Sequence, residues 1–320
     1  MWKDAKAIAG DLAPDAMILT GTPVVSLAAS WPHLFASRGK VGAPGGIIFR
    51  FDAQDLTSTS TPAVSVARPG VVTTLIAGAD DLLFSAERLG NVEMWSPASK
   101  LTDASAPTAT FVHSSQQLPS VAFESASDRL FGGQMSGAGT LAWNGASKRT
   151  GTVVSDFKVA DGAYSTMQIS GDRLYAGGTH GDGTAGVALW SMARQVAGAT
   201  APVLLTKGYQ AGKLVSHLVV RGGLDVLVVA ARDQNQVFVY TKASSITADR
   251  AADFTINAAD RPEMSLPRRV AVDGNGRLYV TDNDGILVFK DVATNPTFVT
   301  ELKSGISGPT DVLVLEGGPF

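Results

Sequence analysis

The chain contains no cysteine. That excludes disulfides, thiolate metal sites and cysteine nucleophiles together. It has little charge: 17% Asp, Glu, Lys and Arg, with a net charge of −3. Its basic residues are scattered, so there is no positive field to attract nucleic acid or anionic lipid, and neither is expected as a partner. Long apolar runs are missing as well. The longest, Leu224 to Ala231, contains Asp225 and is far too short to span a bilayer. No glycosylation sequon occurs, because Asn295 precedes a proline. The opening residues Met1-Trp2-Lys3-Asp4 lack the basic-then-apolar order of a signal peptide. There is no Gly-x-Ser-x-Gly elbow, no His-Glu-x-x-His helix and no Walker loop. Gly-Gly-Thr-His-Gly-Asp-Gly is glycine-rich without being a strand-to-helix junction, so it is no dinucleotide fingerprint.

What is abundant is apolar sequence, 45% of the 320 residues, and it is periodic. An aromatic residue closes a short apolar run at Trp2, Phe51, Trp95, Trp143, Trp190, Tyr240 and Phe289, at intervals of 44 to 50 residues. At most of them an alanine follows three residues on, as in Trp95…Ala98, Trp190…Ala193 and Tyr240…Ala243. A period of this length, carrying several short strands, is the mark of an all-β propeller. The aromatics themselves read as packing between neighbouring blades rather than as a ligand-stacking series.

The clearest repeat runs from Pro267 to Phe289. Val270-Ala-Val272 alternates as a strand, Asp273-Gly-Asn-Gly276 is a hairpin turn, and Leu278-Tyr-Val280 is a second strand. Asp282-Asn-Asp-Gly285 turns into a third strand ending at Phe289. This order resembles an NHL repeat, and the resemblance is good over this one blade. It implies the propeller fold and little about activity, since NHL-like propellers bind proteins or RNA and also serve as enzymes.

The same order predicts first strands near Val24, Val71, Val121, Met167, Leu218, Val270 and Val312. Second strands are expected at Leu34–Ser37, Leu82–Phe84, Arg129–Phe131, Arg173–Tyr175 and Val226–Val229. Weaker outer strands are expected at Thr108–Val112, Ala201–Leu205 and Asp253–Ile256. Each blade is a four-stranded antiparallel meander, and the whole chain, 1–320, is one domain. Residues 1–19 resemble the end of a blade and Pro309–Leu315 the start of one, so the termini are expected to close one composite blade. That gives seven blades. The alternative is six, with residues 1–20 packed outside.

In this topology the loops between second and third strands, and those between blades, surround the mouth of a central channel. They would present Arg38, Lys40, Glu87, Arg88, His180, Asp182, Arg232, Asp233, Asp282 and Asp284, with His217, Arg268, Arg269 and Asp311 from the loops between blades. His180-Gly-Asp182-Gly offers either a base with its orienter or two metal ligands; the other reading is a glycine-rich turn. Asp282-Asn-Asp284-Gly has part of a calcium loop, without the further ligands, and reads equally as a tight turn. His217 lies at a strand entry, the place of a structural histidine. His33 and His113 carry no chemical signal.

Two functions follow. One is a binding or scaffold propeller presenting its loop-rich face to a protein or glycan, monomeric and without a cofactor. The other is a metal-assisted hydrolase or lyase, implied by resemblance to lactonase-like members of the broader NHL-like group. It would hold a cation such as Ca²⁺ or Mg²⁺ at the channel mouth, and needs at least three of His180, Asp182, Asp233, Asp282, Asp284 and His217 to converge. A secreted or periplasmic location, with the targeting segment absent from this chain, fits the Ser/Thr/Gly-rich surface; a cytosolic one fits too.

Overall fold

The computed structural model describes residues 24–39, 45–52, 56, 60–88, 90–112, 118–135, 139–213, 215–257, 261, 264–304, 306 and 309–314. Among these, twenty-five strands form six sheets. The first contains β1 (Val24–Ser30), β2 (His33–Gly39), β3 (Gly46–Asp52) and β4 (Val64–Arg68). The second contains β5 (Val72–Gly78), β6 (Leu82–Glu87), β7 (Val92–Trp95) and β8 (Ala109–Val112). The third is β9 (Ser120–Glu124), β10 (Arg129–Gly133) and β11 (Thr140–Asn144), with β13 (Phe157–Ala160) outermost; β12 (Gly151–Val154) joins the second sheet instead. The fourth holds β14 (Gly162–Ser170), β15 (Arg173–His180), β16 (Ala185–Ser191) and β17 (Val203–Leu205). The fifth holds β18 (Val215–Arg221), β19 (Val226–Ala231), β20 (Gln236–Thr241) and β21 (Phe254–Asn257). The sixth holds β22 (Arg269–Val272), β23 (Leu278–Thr281), β24 (Ile286–Lys290) and β25 (Thr297–Leu302). Each is built on a four-stranded antiparallel propeller blade, formed where the repeat places it, and the second carries β12 as a fifth strand. The chain divides into two compact units, one carrying the first three sheets and the other the last three.

The second and third strands lie between neighbouring sheets, so both their faces are buried and they read as continuous apolar runs. Register sets a leucine of the second strand opposite the aromatic of the third: Leu34 faces Phe51, Leu83 faces Trp95, and Leu130 faces Trp143. Leu174 faces Trp190, Leu227 faces Tyr240, and Leu278 faces Phe289. All six aromatics are at most 1% exposed, which makes them the packing elements the sequence implied. Within each unit the apolar clusters join successive sheets, as Phe84, Phe111 and Trp143 do for the second and third.

The alanine after the aromatic starts a single 3₁₀ turn at Ala98–Lys100, Ala146–Lys148, Ala193–Gln195 and Ala243–Ser245. Each of these alanines is fully buried, leaving no room for a larger side chain. Three of them donate their N–H to an aspartate carbonyl in the first hairpin of the same sheet: Ala98 to Asp81, Ala146 to Asp128 and Ala243 to Asp225, at 2.8–3.0 Å.

Two expectations are corrected. Six sheets form among the described residues, the alternative count, in place of seven. Residues 309–314 carry no strand, although Val312 and Val314 pack on Tyr279 and Val288. With no second strand to pair with among the described residues, this segment contributes side chains only. Residues 1–23, which hold the other half of the expected composite blade, lie outside the described residues, as do Lys40 and His113. The second correction is β12, which pairs parallel with β8 at the outer edge of the second sheet before the chain returns to its own sheet as β13.

Candidate functional site

The loops that leave second strands and the loops that enter first strands emerge at one end of each blade, and the predicted residues fall there. Most turn out to build the loops. Asp182 accepts from the Thr184 N–H at 2.9 Å and its hydroxyl at 2.7 Å, and the Thr184 hydroxyl leads in lowering its pKa. β15 runs on to His180, so that imidazole is buried, 4% exposed, and burial lowers its pKa. The glycine-rich segment is therefore a tight turn, closed by His180 N–H to Thr184 and Gly183 N–H to His180. Asp282, fully buried, accepts from the N–H groups of Asp284 and Gly285 at 2.9 Å. Arg268 donates to Asn283 Oδ1 at 2.9 Å and steadies the same turn. Arg232 and Asp233 sit in a 3₁₀ turn closed by Asn235 in the left-handed region, with Asp233 exposed.

His217 has a structural role that the repeat explains. Three first strands, β1, β5 and β18, open on a bulge, and Ser26 and His217 follow it directly. Ser26 Oγ accepts from Leu75 N–H at 3.1 Å, and Thr166 Oγ1 accepts from Leu218 N–H at 3.3 Å. His217 Nδ1 accepts from Val270 N–H at 3.3 Å in the same way. Burial first, and then the Arg269 cation, hold its pKa well below the usual histidine range. A histidine doing the work of a serine or threonine is a blade-to-blade hydrogen-bond acceptor. Among the described residues no three His, Asp or Glu side chains gather as a metal site.

In the other unit, Arg38 lies over the Phe49 ring at 5.7 Å, and Arg88 is half-buried with its N–H on Val71 O. Glu87 differs from the rest. It ends β6 with only 7% of its surface exposed, and Glu93, on β7, has 5%. One guanidinium serves both: Arg68, the last residue of β4, bonds Glu93, and its Nε lies 3.7 Å from Glu87 Oε1. Its charged carbon also sits 5.1 Å from the centre of the Trp95 ring, whose Nε1 donates to Ser85 Oγ at 3.1 Å. Backbone closes over Glu87, since a Cβ on Gly70 would come within 2.7 Å of its Oε2. Burial raises the pKa of both acids, that of Glu93 to about 7, against the opposing pull of Arg68. Among the described residues Glu87 Oε1, Glu93 Oε2 and Asn91 Oδ1 are buried without a hydrogen-bond donor, and Arg68 Nε is buried without an acceptor.

Reasoning from motifs found Glu87 and missed Arg68 and Glu93. The repeat carries the signal for Glu93: two residues before the aromatic, the other blades have Phe49, Leu141, Ala188, Phe238 and Leu287. A carboxylate where every other blade has an apolar side chain marks a buried charge that must find a partner.

No protein-family model matches the chain, and no curated protein does either. Among solved structures, the computationally designed Ika8 protein is similar over 96% of this chain and 94% of its own, with a TM-score of 0.56 and 14% identity. The likeness is one of fold.

Proposed function

We propose that this chain is a binding scaffold that takes a protein or glycan ligand on the loops at the second-to-third-strand ends of its blades. One observation carries the reading: the side chains chosen as catalytic or metal-binding candidates are engaged in holding the loops and blades together. Asp182 and Asp282 hold turns, His180 is buried, and His217 bonds the next blade. What reaches solvent is a spaced set, including Asp182, Asp233, Asp284, Lys207 and Lys213, on loops of different lengths. Such an array suits surface recognition, where position and polarity give specificity. The NHL-like order of the last blade and the low-charge, cysteine-free composition favour a monomeric module working in a secreted or periplasmic setting. Among the described residues no helix is long and apolar enough to cross a membrane.

Glycan and peptide arrays probed with the purified chain test this. Saturable binding weakened about tenfold or more by Asp233→Lys or Asp284→Lys, with thermal stability kept, is the expected result. Cation-dependent hydrolysis of lactones or esters, unaffected by those substitutions, would replace the scaffold with an enzyme.

A further inference from the structure

We propose that Arg68, Glu87 and Glu93 form a proton-binding lock between the first and second sheets, closed when the two carboxyl groups share one proton and loosened when both are ionised. This goes beyond the binding function and does not depend on it.

The charge count comes first. β4 supplies one guanidinium; β6 and β7 each supply a carboxylate, and all three side chains are at most 12% exposed. Among the described residues the charges that act on the pair are its own: Glu93 feels Arg68 and Glu87, with a hydrogen bond from Ser85, and Glu87 feels Arg68 and the Gly70 amide. Two carboxylates against one cation leave a net negative charge away from water, an arrangement that protein interiors avoid by neutralising one group.

The hydrogen-bond count agrees. Among the described residues Glu87 Oε1, Glu93 Oε2 and Asn91 Oδ1 are buried acceptors without a hydrogen bond, against one unused buried donor, Arg68 Nε, 3.7 Å from Glu87 Oε1. Acceptors outnumber donors, and a proton on either carboxyl converts one acceptor into a donor for another. The proton belongs to the pair rather than to one residue. Gly70 and Gly90 are the parts that yield, because their backbone lies directly on the Glu87 carboxylate with no side chain between.

The sign follows from the raised pKa. The folded state binds a proton more tightly than the unfolded chain, so the stabilisation is complete below about pH 4.5 and is lost as pH rises through about 7. His180 and His217, whose lowered pKa values act in the opposite sense, belong to the other unit and cancel when wild type is compared with a Glu93 variant.

Two measurements test the lock. Carboxyl ¹³C NMR of the intact wild-type chain should show one glutamate titrating with a midpoint between about pH 6 and 8, in place of the usual value near 4.3. Thermal melting from pH 4 to 9 should show wild type losing several degrees between about pH 4.5 and 7, with little further loss from the pair above pH 8. Glu93→Gln should be flat across that window and melt above wild type at pH 8. Should Glu93→Gln fail to fold, Glu87→Gln takes its place and the NMR titration stands unaided. Every glutamate titrating below pH 5.5, or parallel melting profiles for wild type and variant, would overturn the proposal.

Discussion

Three aspartates show how much of this fold rests on single residues. Asp81, Asp128 and Asp225 turn the first hairpin of their sheets with φ of 60°, 53° and 51°, in the left-handed region that aspartate tolerates better than most residues. Each then receives the N–H and hydroxyl of the serine after the buried alanine: Ser99, Ser147 and Ser244. Asp225→Ala removes both hydrogen bonds and strains the backbone, and should cost about 1–3 kcal/mol in denaturant unfolding. Asp225→Gly relieves the strain and should recover a part of that. The alanine was visible in the sequence as a repeat; its aspartate partner was not, because the two are linked only once the hairpin folds over the 3₁₀ turn. His217 is a second case at this scale. Position alone marked it as structural, and the equivalent Ser26 and Thr166 supply the reason. Since its folded-state pKa is depressed, the histidine favours folding above about pH 6.5 and loses that contribution as the pH falls. His217→Thr should flatten the acid side of the melting profile between pH 5 and 6.5, at about 1 kcal/mol or less in stability near pH 7.5.

At the scale of the element, the second and third strands were legible in place, though second strands run one to five residues further than expected, and the outer strands were much less legible. Inner strands are packed on both faces, so their apolar runs are long and their leucine–aromatic register is fixed. Outer strands bury one face and sit at an edge, as the alternation in β4 shows, and their composition is correspondingly free. β12 is the extreme case. Gly151–Val154 pairs in parallel with a strand of the preceding blade, a contact outside the 48-residue period and so invisible to it. Burial in β12 rests on Val153, at 8% exposed, while Val154 is 71% exposed. Val153→Asp should therefore release β12, raising amide exchange at Thr152 to Val154, and Val154→Asp should change stability by less than about 0.5 kcal/mol. Trp143, buried against Phe111 at 5.6 Å, lies between the second and third sheets, and Trp143→Ala should cost about 3–5 kcal/mol.

For the molecule as a whole, the repeat gave the fold class and most strand positions, and miscounted the blades by one. The extra blade was inferred from local likeness at the two ends. Among the described residues the C-terminal half of that likeness packs by side chains without forming a strand. The candidate site was less legible than the fold, and for a physical reason. The residues chemistry would choose, histidine and aspartate in glycine-rich loops, are also those that tight turns require, and here the turns use them. Arg68 and Glu93, which do come together, lie in strands where motif reading expects only packing. Whether the loop ends recognise or catalyse is therefore the deciding question. Elemental analysis of the purified chain, followed by melting with Ca²⁺, Mg²⁺, Mn²⁺ or Zn²⁺ and a lactone and ester turnover assay in each, decides it most directly. A scaffold predicts no stoichiometric metal, no ion-specific shift and no turnover; a bound ion that raises the melting point by several degrees and supports hydrolysis would contradict it.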